Sequence, residues 1–242
     1  MKNKFAIVTG ASTGIGRATS IELGKNGATV ALVARNKDKL DETKRLVEEV
    51  GGKGIVFETD LSNIDSINNL IQSIKQQTQQ VDILVNIAGI WHGDNEVFAG
   101  LDFEKFKQQT VLDTFSVGLI APTLLVHGLV SIMPQGSNII NLSGTFENGA
   151  KGWLPYYVSK RGIEDLTQGI SEELKDKQIN VNCISPSDTA TEEYKKYFPE
   201  DAVGANTPET IAKEIVNLIN SNQTGQFVVI KKNELIQEGY HQ

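Results

Sequence analysis

The sequence predicts an α/β fold: a doubly wound, mostly parallel sheet of seven strands, flanked by helices on both faces. Three observations carry this expectation. Seven short apolar runs recur along the chain, each bounded by polar or turn residues. Between them lie amphipathic stretches with helical spacing, and strands alternating with helices give parallel sheets with right-handed crossovers. Finally, a glycine-rich turn joins the first apolar run directly to the first helical pattern. At 242 residues the alternation fits one domain, since α/β units of about 250 residues are common.

Taken in order, Phe5–Val8 is the first strand and leads into Thr9-Gly10-Ala11-Ser12-Thr13-Gly14-Ile15-Gly16. Ile15, Ala18, Thr19 and Leu23 then share one helical face, which stops near Gly24 and Gly27. Strand, glycine turn and helix in this order make a phosphate cradle. Glycine permits the tight turn, and free amides at the helix start attract a pyrophosphate. Ala28–Ala34 is the second strand, followed at once by Arg35. A carboxylate at that strand's end would bond a ribose 2′-hydroxyl, whereas an arginine accepts a 2′-phosphate. Arg35, with Arg17 as a candidate helper, therefore favours NADP(H) over NAD(H), unless it is only a solvated loop residue.

Asp38–Val50 reads as a charged amphipathic helix and Gly54–Glu58 as a third strand. Asp60, before Leu61, either accepts a bond from an adenine amine or caps the helix Ile64–Thr78. The fourth strand, Val81–Val85, runs into Asn86-Ile87-Ala88-Gly89, where small residues let a ribose pass close to the backbone. A loop holding Trp91 and His92 follows, then one long helix, Phe103–Met133, which Pro122 should kink. Ile139–Leu142, Ile179–Ile184 and Gln226–Ile230 supply the remaining strands. Pro208–Asn220 is a helix, residues 187–207 form a substrate loop with short helices, and 231–242 reads as a polar tail.

Composition narrows the classes of function. A net charge of −7 argues against a nucleic-acid or anionic-membrane binder. The single cysteine, Cys183, sits in a buried-strand pattern and excludes both an internal disulfide and a cysteine-based zinc site. His92, His127 and His241 show no metal-ligand spacing, so no metal is expected. The most apolar region, Val117–Val130, falls short of the roughly 20 residues that span a bilayer. A strand beginning at Phe5 leaves no signal peptide, and a cytoplasmic location is expected.

The chemistry centres on Asn138–Lys160. Ser143 ends a strand thirteen positions before Tyr156, and Lys160 lies one helical turn beyond the tyrosine on the same face. A phenol with an ordinary pKa of about 10 is a poor acid-base catalyst near neutrality. A nearby ammonium is expected to lower that value, and the serine hydroxyl can hold an oxygen on which charge develops. Trp91, His92, Phe146, Trp153, Leu154 and Glu192–Phe198 would wall the adjoining pocket, or simply pack the loops.

Together these residues resemble the classical short-chain dehydrogenase/reductase family, in its 3-oxoacyl-(acyl-carrier-protein) reductase-like form, from Phe5 to about Ile230. Thr9-Gly10-x-x-x-Gly14-x-Gly16 is similar to the family's nucleotide turn, and Asn86-x-Ala88-Gly89 to its sheet-stabilising motif. The resemblance implies a Rossmann fold and hydride transfer between a nicotinamide and a carbonyl or secondary alcohol. It casts Tyr156 as general acid/base, Ser143 as the group positioning the carbonyl oxygen, and Lys160 as the holder of the nicotinamide ribose. It adds Ser12, Thr13, Ile15, Asp60, Leu61, Pro186, Thr189 and Thr191 to the cofactor contacts.

Where the family carries a relay asparagine, counting along the long helix gives Thr114. The usual Pro-Gly after the sixth strand is Pro186-Ser187, and a glycine pair after the last strand is replaced by Lys231-Lys232-Asn233. The resemblance implies a homodimer or homotetramer. The alternative reading is a weakly active NADP-binding sensor or scaffold of the same fold.

Overall fold

The computed structural model describes residues 1–146, 149–231 and 234–238. Its sheet has the order β3-β2-β1-β4-β5-β6-β7-β8. The strands are β1 (Phe5–Thr9), β2 (Thr29–Ala34), β3 (Lys53–Glu58), β4 (Ile83–Asn86), β5 (Asn138–Leu142), β6 (Asn180–Pro186), β7 (Phe227–Lys231) and β8 (Glu234–Glu238). The first seven are parallel and correspond to the seven apolar runs. β8 pairs antiparallel with β7, Lys231 opposite Glu234. The stretch expected to be a polar tail thus covers an edge that would otherwise present unpaired backbone groups. Lys232 and Asn233, between these strands, lie outside the described residues, as does His241.

Buried on both faces, the central strands read as nearly continuous apolar runs. Their side chains alternate between two cores. Ile7, Ala31, Leu84 and Ile139 join the core on one side of the sheet, Val8, Val30, Leu32, Val85 and Ile140 that on the other. The first core is completed by Ile67, Leu70 and Ile74 of α3 (Ile64–Gln77) and by Leu125 and Leu129 of α5 (Ala121–Leu129). The second receives Leu23 of α1 (Gly14–Lys25), Leu40 and Val47 of α2 (Lys37–Glu49), and Ile211 and Ile215 of α8 (Pro208–Asn220). The strand order reverses between β1 and β4, and in sheets of this kind ligands bind at that crevice, outside the carboxyl ends of the strands.

The long helix differs from the expectation of a single rod over Phe103–Met133. A 3₁₀ turn, Phe103–Lys105, comes first, then α4 (Gln108–Phe115), a π segment, Ser116–Ile120, and α5. Pro122 falls in the first turn of α5, where its missing N–H is tolerated, so the widened turn before it takes the place of a kink. The π segment also brings Gly118 onto α6 (Leu154–Glu173). A Cβ at Gly118 would stand 2.9 Å from Ser159 Oγ. By length and composition the helical run Gln108–Ile132 could cross a bilayer, unlike the shorter apolar stretch read from sequence. Here Val117, Ala121, Leu125 and Leu129 are buried in the core of the fold.

Candidate active site

The site begins where β1 ends. Thr9 Oγ1 accepts the backbone amides of Ile87 and Ala88 at 2.9 and 3.2 Å, which ties the end of β4 to the glycine turn. Gly10 has φ +68°, and a Cβ there would lie 3.1 Å from the Ala88 backbone. A Cβ on Gly16 would lie 2.1 Å from the Gly10 carbonyl oxygen, so only glycine closes this turn. Asn36 and Asn63 cap α2 and α3 through their side chains, but Thr13 makes no such bond at the start of α1. The amino end of α1 is thus left for a ligand to cap, and it faces the cleft through Ser12, Thr13, Gly14 and Ile15. That arrangement fits a pyrophosphate.

The cleft has a volume of about 500 Å³ and runs from Arg35 and Asp60, past Ala88 and Gly89, to Tyr156. Gly10, Gly16, Leu61 and Thr191 also line it, so most of the expected cofactor contacts come together. Thr191 Cγ2 would stand 3.0 Å from a Cβ on Gly14, which sets the short helix α7 (Glu192–Tyr197) directly over the glycine turn. Pro186 and Thr189 are not part of the lining. Pro186 is paired with Ile230 in the sheet, and the Thr189 hydroxyl donates to the Ser187 carbonyl at 3.0 Å.

Asp60 lines the cleft but does not cap α3, because Asn63 does. Its Oδ1 accepts from the amide and hydroxyl of Ser62 at 2.9 and 2.7 Å. Arg17 is not beside Arg35. Its guanidinium bonds the Ser12 carbonyl at 2.8 Å and Glu42 at 2.8 Å, and the second cation in the cleft is Lys39. Sequence reasoning missed Lys39, although its place in the first turn of α2, four residues after Arg35, was the signal.

Asn86 does not line the cleft. Its side chain donates to Asn141 Oδ1 at 2.8 Å, and Asn141 donates to Thr167 Oγ1 at 2.9 Å. This buried chain fixes β4, β5 and α6 to one another and so sets α6 against the sheet.

Of Ser143, Tyr156 and Lys160, only Tyr156 lines the cleft; Lys160 lies against its ring, and Ser143 is turned into the protein. Lys160 is 2% exposed; its Nζ donates to the Leu142 carbonyl at 2.7 Å and lies 5.4 Å from the centre of the Tyr156 ring. Burial lowers Lys160 to about 8, against the opposing pull of Cys183 and Glu164. Burial pushes the Tyr156 phenol well above its usual value rather than below it. The expected lowering fails because the ammonium is held by a backbone carbonyl and desolvation of the phenolate dominates. The Ser143 hydroxyl points inward, within 3.1 Å of the Lys160 carbonyl and 2.5 Å of Glu164 Oε1. Sequence reasoning missed Glu164. Thr114 is buried with its hydroxyl on the Thr110 carbonyl at 2.6 Å, a bond within its own helix.

Beyond Tyr156 the expected pocket walls form a row of aromatic rings. Phe146 lies 5.8 Å from Tyr156, Trp153 6.2 Å from Tyr156 and 6.1 Å from Phe198, and Phe198 6.3 Å from Trp91. The rings pack the loops together; Trp91 lines the cleft, whereas Phe146, Trp153 and Phe198 do not. Among the described residues no group of three or more His, Cys, Asp or Glu side chains could hold a metal ion.

The description "short chain dehydrogenase" matches residues 4–202, and the chain belongs to that family of oxidoreductases. It is 32% identical to the 3beta-hydroxysteroid dehydrogenase of Mediterraneibacter gnavus over 192 residues, covering 78% of this chain and 67% of that protein. It is 29% identical to the ketoacyl reductase HetN of Nostoc sp., over 95% of this chain and 79% of the relative. Among solved structures, the landomycin C-6 ketoreductase LanV with bound NADP and rabelomycin superposes with a TM-score of 0.82 at 28% identity, covering 94% of each chain. The chain is accordingly an enzyme of the short-chain dehydrogenase/reductase class, acting on CH–OH groups with a nicotinamide cofactor.

Proposed function

We propose that the protein is an NADP-dependent carbonyl reductase in which Tyr156 is the general acid and base. The observation that carries this is that one cleft joins the glycine turn, the cations Arg35 and Lys39, and the Tyr156 phenol. When bound, the nicotinamide supplies the hydride. With its pKa raised by burial, Tyr156 stays protonated through neutral pH and can give its proton to a carbonyl oxygen. Lys160, ionised below about pH 8, is placed to exchange the Leu142 carbonyl for a ribose hydroxyl. Ser143 holds the substrate oxygen once its own hydrogen is turned outward.

A 2′-phosphate is favoured because Ala34, at the end of β2, offers no carboxylate, and Arg35 and Lys39 both face the cleft. NADP bound to LanV supports the same preference. The substrate we infer is an apolar ketone lying against Trp91, which Phe198 and Trp153 back in turn, in preference to the 3-oxoacyl thioester that overall resemblance favours. Leu112, Ile120 and Val158, exposed on α4, the π segment and α6, support assembly into a homodimer or homotetramer. We place the enzyme in the cytoplasm. A screen of ketones and acyl thioesters with NADPH and NADH tests the reading. Turnover with neither cofactor, despite tight binding, would favour a sensor, a reading to which the inward-turned Ser143 lends some weight.

A further inference from the structure

Ser143 follows β5, and its amide is fixed by the Ile184 carbonyl at 2.8 Å, so only its side chain is free to turn. Two acceptors on α6 face that hydroxyl: the Lys160 carbonyl at 3.1 Å and Glu164 Oε1 at 2.5 Å. A hydroxyl carries one proton, and an ionised carboxylate is the stronger acceptor. The proton therefore goes to Glu164. That carboxylate is 2% exposed and is paired with Arg161, whose Nη1 donates to Oε2 at 2.7 Å. With its hydrogen committed inward, Ser143 has none to give to a carbonyl oxygen gaining negative charge.

We propose that Glu164 is a positioning residue that holds the Ser143 hydroxyl away from the substrate, so that carbonyl polarisation requires the Ser143–Glu164 hydrogen bond to break. This rests on the reading of Ser143 as the group that holds the substrate oxygen. A glutamine at this position keeps the shape and reverses the polarity. Its carbonyl accepts from Arg161, its amide donates to Ser143 Oγ, and the serine proton is released toward the cleft.

The test is a cycle of wild type, Glu164→Gln, Ser143→Ala and the double variant, assayed for ketone reduction with NADPH. Glu164→Gln is expected to raise kcat about three- to tenfold, as loss of one charge-assisted hydrogen bond from the resting state requires. KM for the ketone and the Kd for NADPH should stay within about twofold, and the gain should vanish in the Ser143→Ala background. An unchanged or lowered kcat in a folded Glu164→Gln protein, or a gain that persists without Ser143, overturns the proposal. If Glu164→Gln does not fold, Glu164→Met supplies the same arm. It removes the carboxylate acceptor, so kcat should again rise in a Ser143-dependent manner, and an unchanged kcat again overturns the idea. Failure of the underlying reading shows separately, as wild-type activity that Ser143→Ala leaves untouched.

Discussion

Lys160 Nζ donates to the Leu142 carbonyl at 2.7 Å and so spans from α6 to the end of β5, beneath the Tyr156 ring. This bond holds a buried cation where α6 meets the sheet, 3.5 Å from where a Cβ on Gly89 would stand. Its cost is visible in the lysine itself, whose proton affinity burial reduces to about 8 from an ordinary 10.5.

On the proposed role of Lys160 as holder of the ribose, activity should decline as pH rises through about 8 and the ammonium is lost. The linked effect on stability runs the other way. Between pH 8 and 10.5 the unfolded chain binds a proton that the folded chain does not, so this residue's contribution to stability rises with pH, by up to about 1.4 kcal/mol per unit. Below pH 8 both states are protonated and the desolvation cost is complete. Urea midpoints of wild type and Lys160→Met at pH 7 and pH 9 check the sign. A wild type that gains nothing relative to the variant between these values would contradict it.

Arg35→Ala should weaken NADPH binding by tenfold or more and leave NADH unaffected, with a smaller loss, about threefold, for Lys39→Ala. Fluorescence titration of both cofactors reads the outcome directly. Equal binding of the two nucleotides by wild type, unchanged by either substitution, would remove the argument for a 2′-phosphate site.

What the sequence showed and what it hid divide along physical lines. The seven parallel strands and the glycine turn were legible because burial on two faces demands continuous apolar runs, and the turn at Gly10 and Gly16 admits no side chain. Lys39 was hidden because it stands among the solvated charges of α2, and only the curvature of β2 into α2 brings it beside Arg35. Glu164 was hidden for the opposite reason. A glutamate on an amphipathic helix reads as solvent-facing, and its burial depends on β5 and β6 packing against α6. The π segment leaves little trace in periodicity, since its reason is a contact between Gly118 and Ser159, far apart in the chain. β8 was missed because two apolar residues, Leu235 and Ile236, make a weak signal within a polar stretch.

The chain of amides from Asn86 through Asn141 to Thr167 predicts a stability effect remote from the chemistry. Asn141→Ala leaves the buried Asn86 amide without its acceptor, while Thr167 keeps its bond to the Ile163 carbonyl, and should cost about 1–3 kcal/mol. Asn86→Ala should be costly too, and the double variant should lose less than the sum of the two. Additive losses in thermal or urea unfolding would show that the three side chains do not act as one network.

The most direct test of the central claim is single-turnover oxidation of NADPH by a reducible ketone, comparing wild type with Tyr156→Phe. The phenylalanine keeps the ring and its packing against Phe146 and Trp153 while removing the proton. Tyr156→Phe should bind NADPH as wild type does and lose at least about a hundredfold in the hydride-transfer rate, the scale of general-acid contributions. A variant that retains the wild-type rate would place the acid elsewhere and contradict the account.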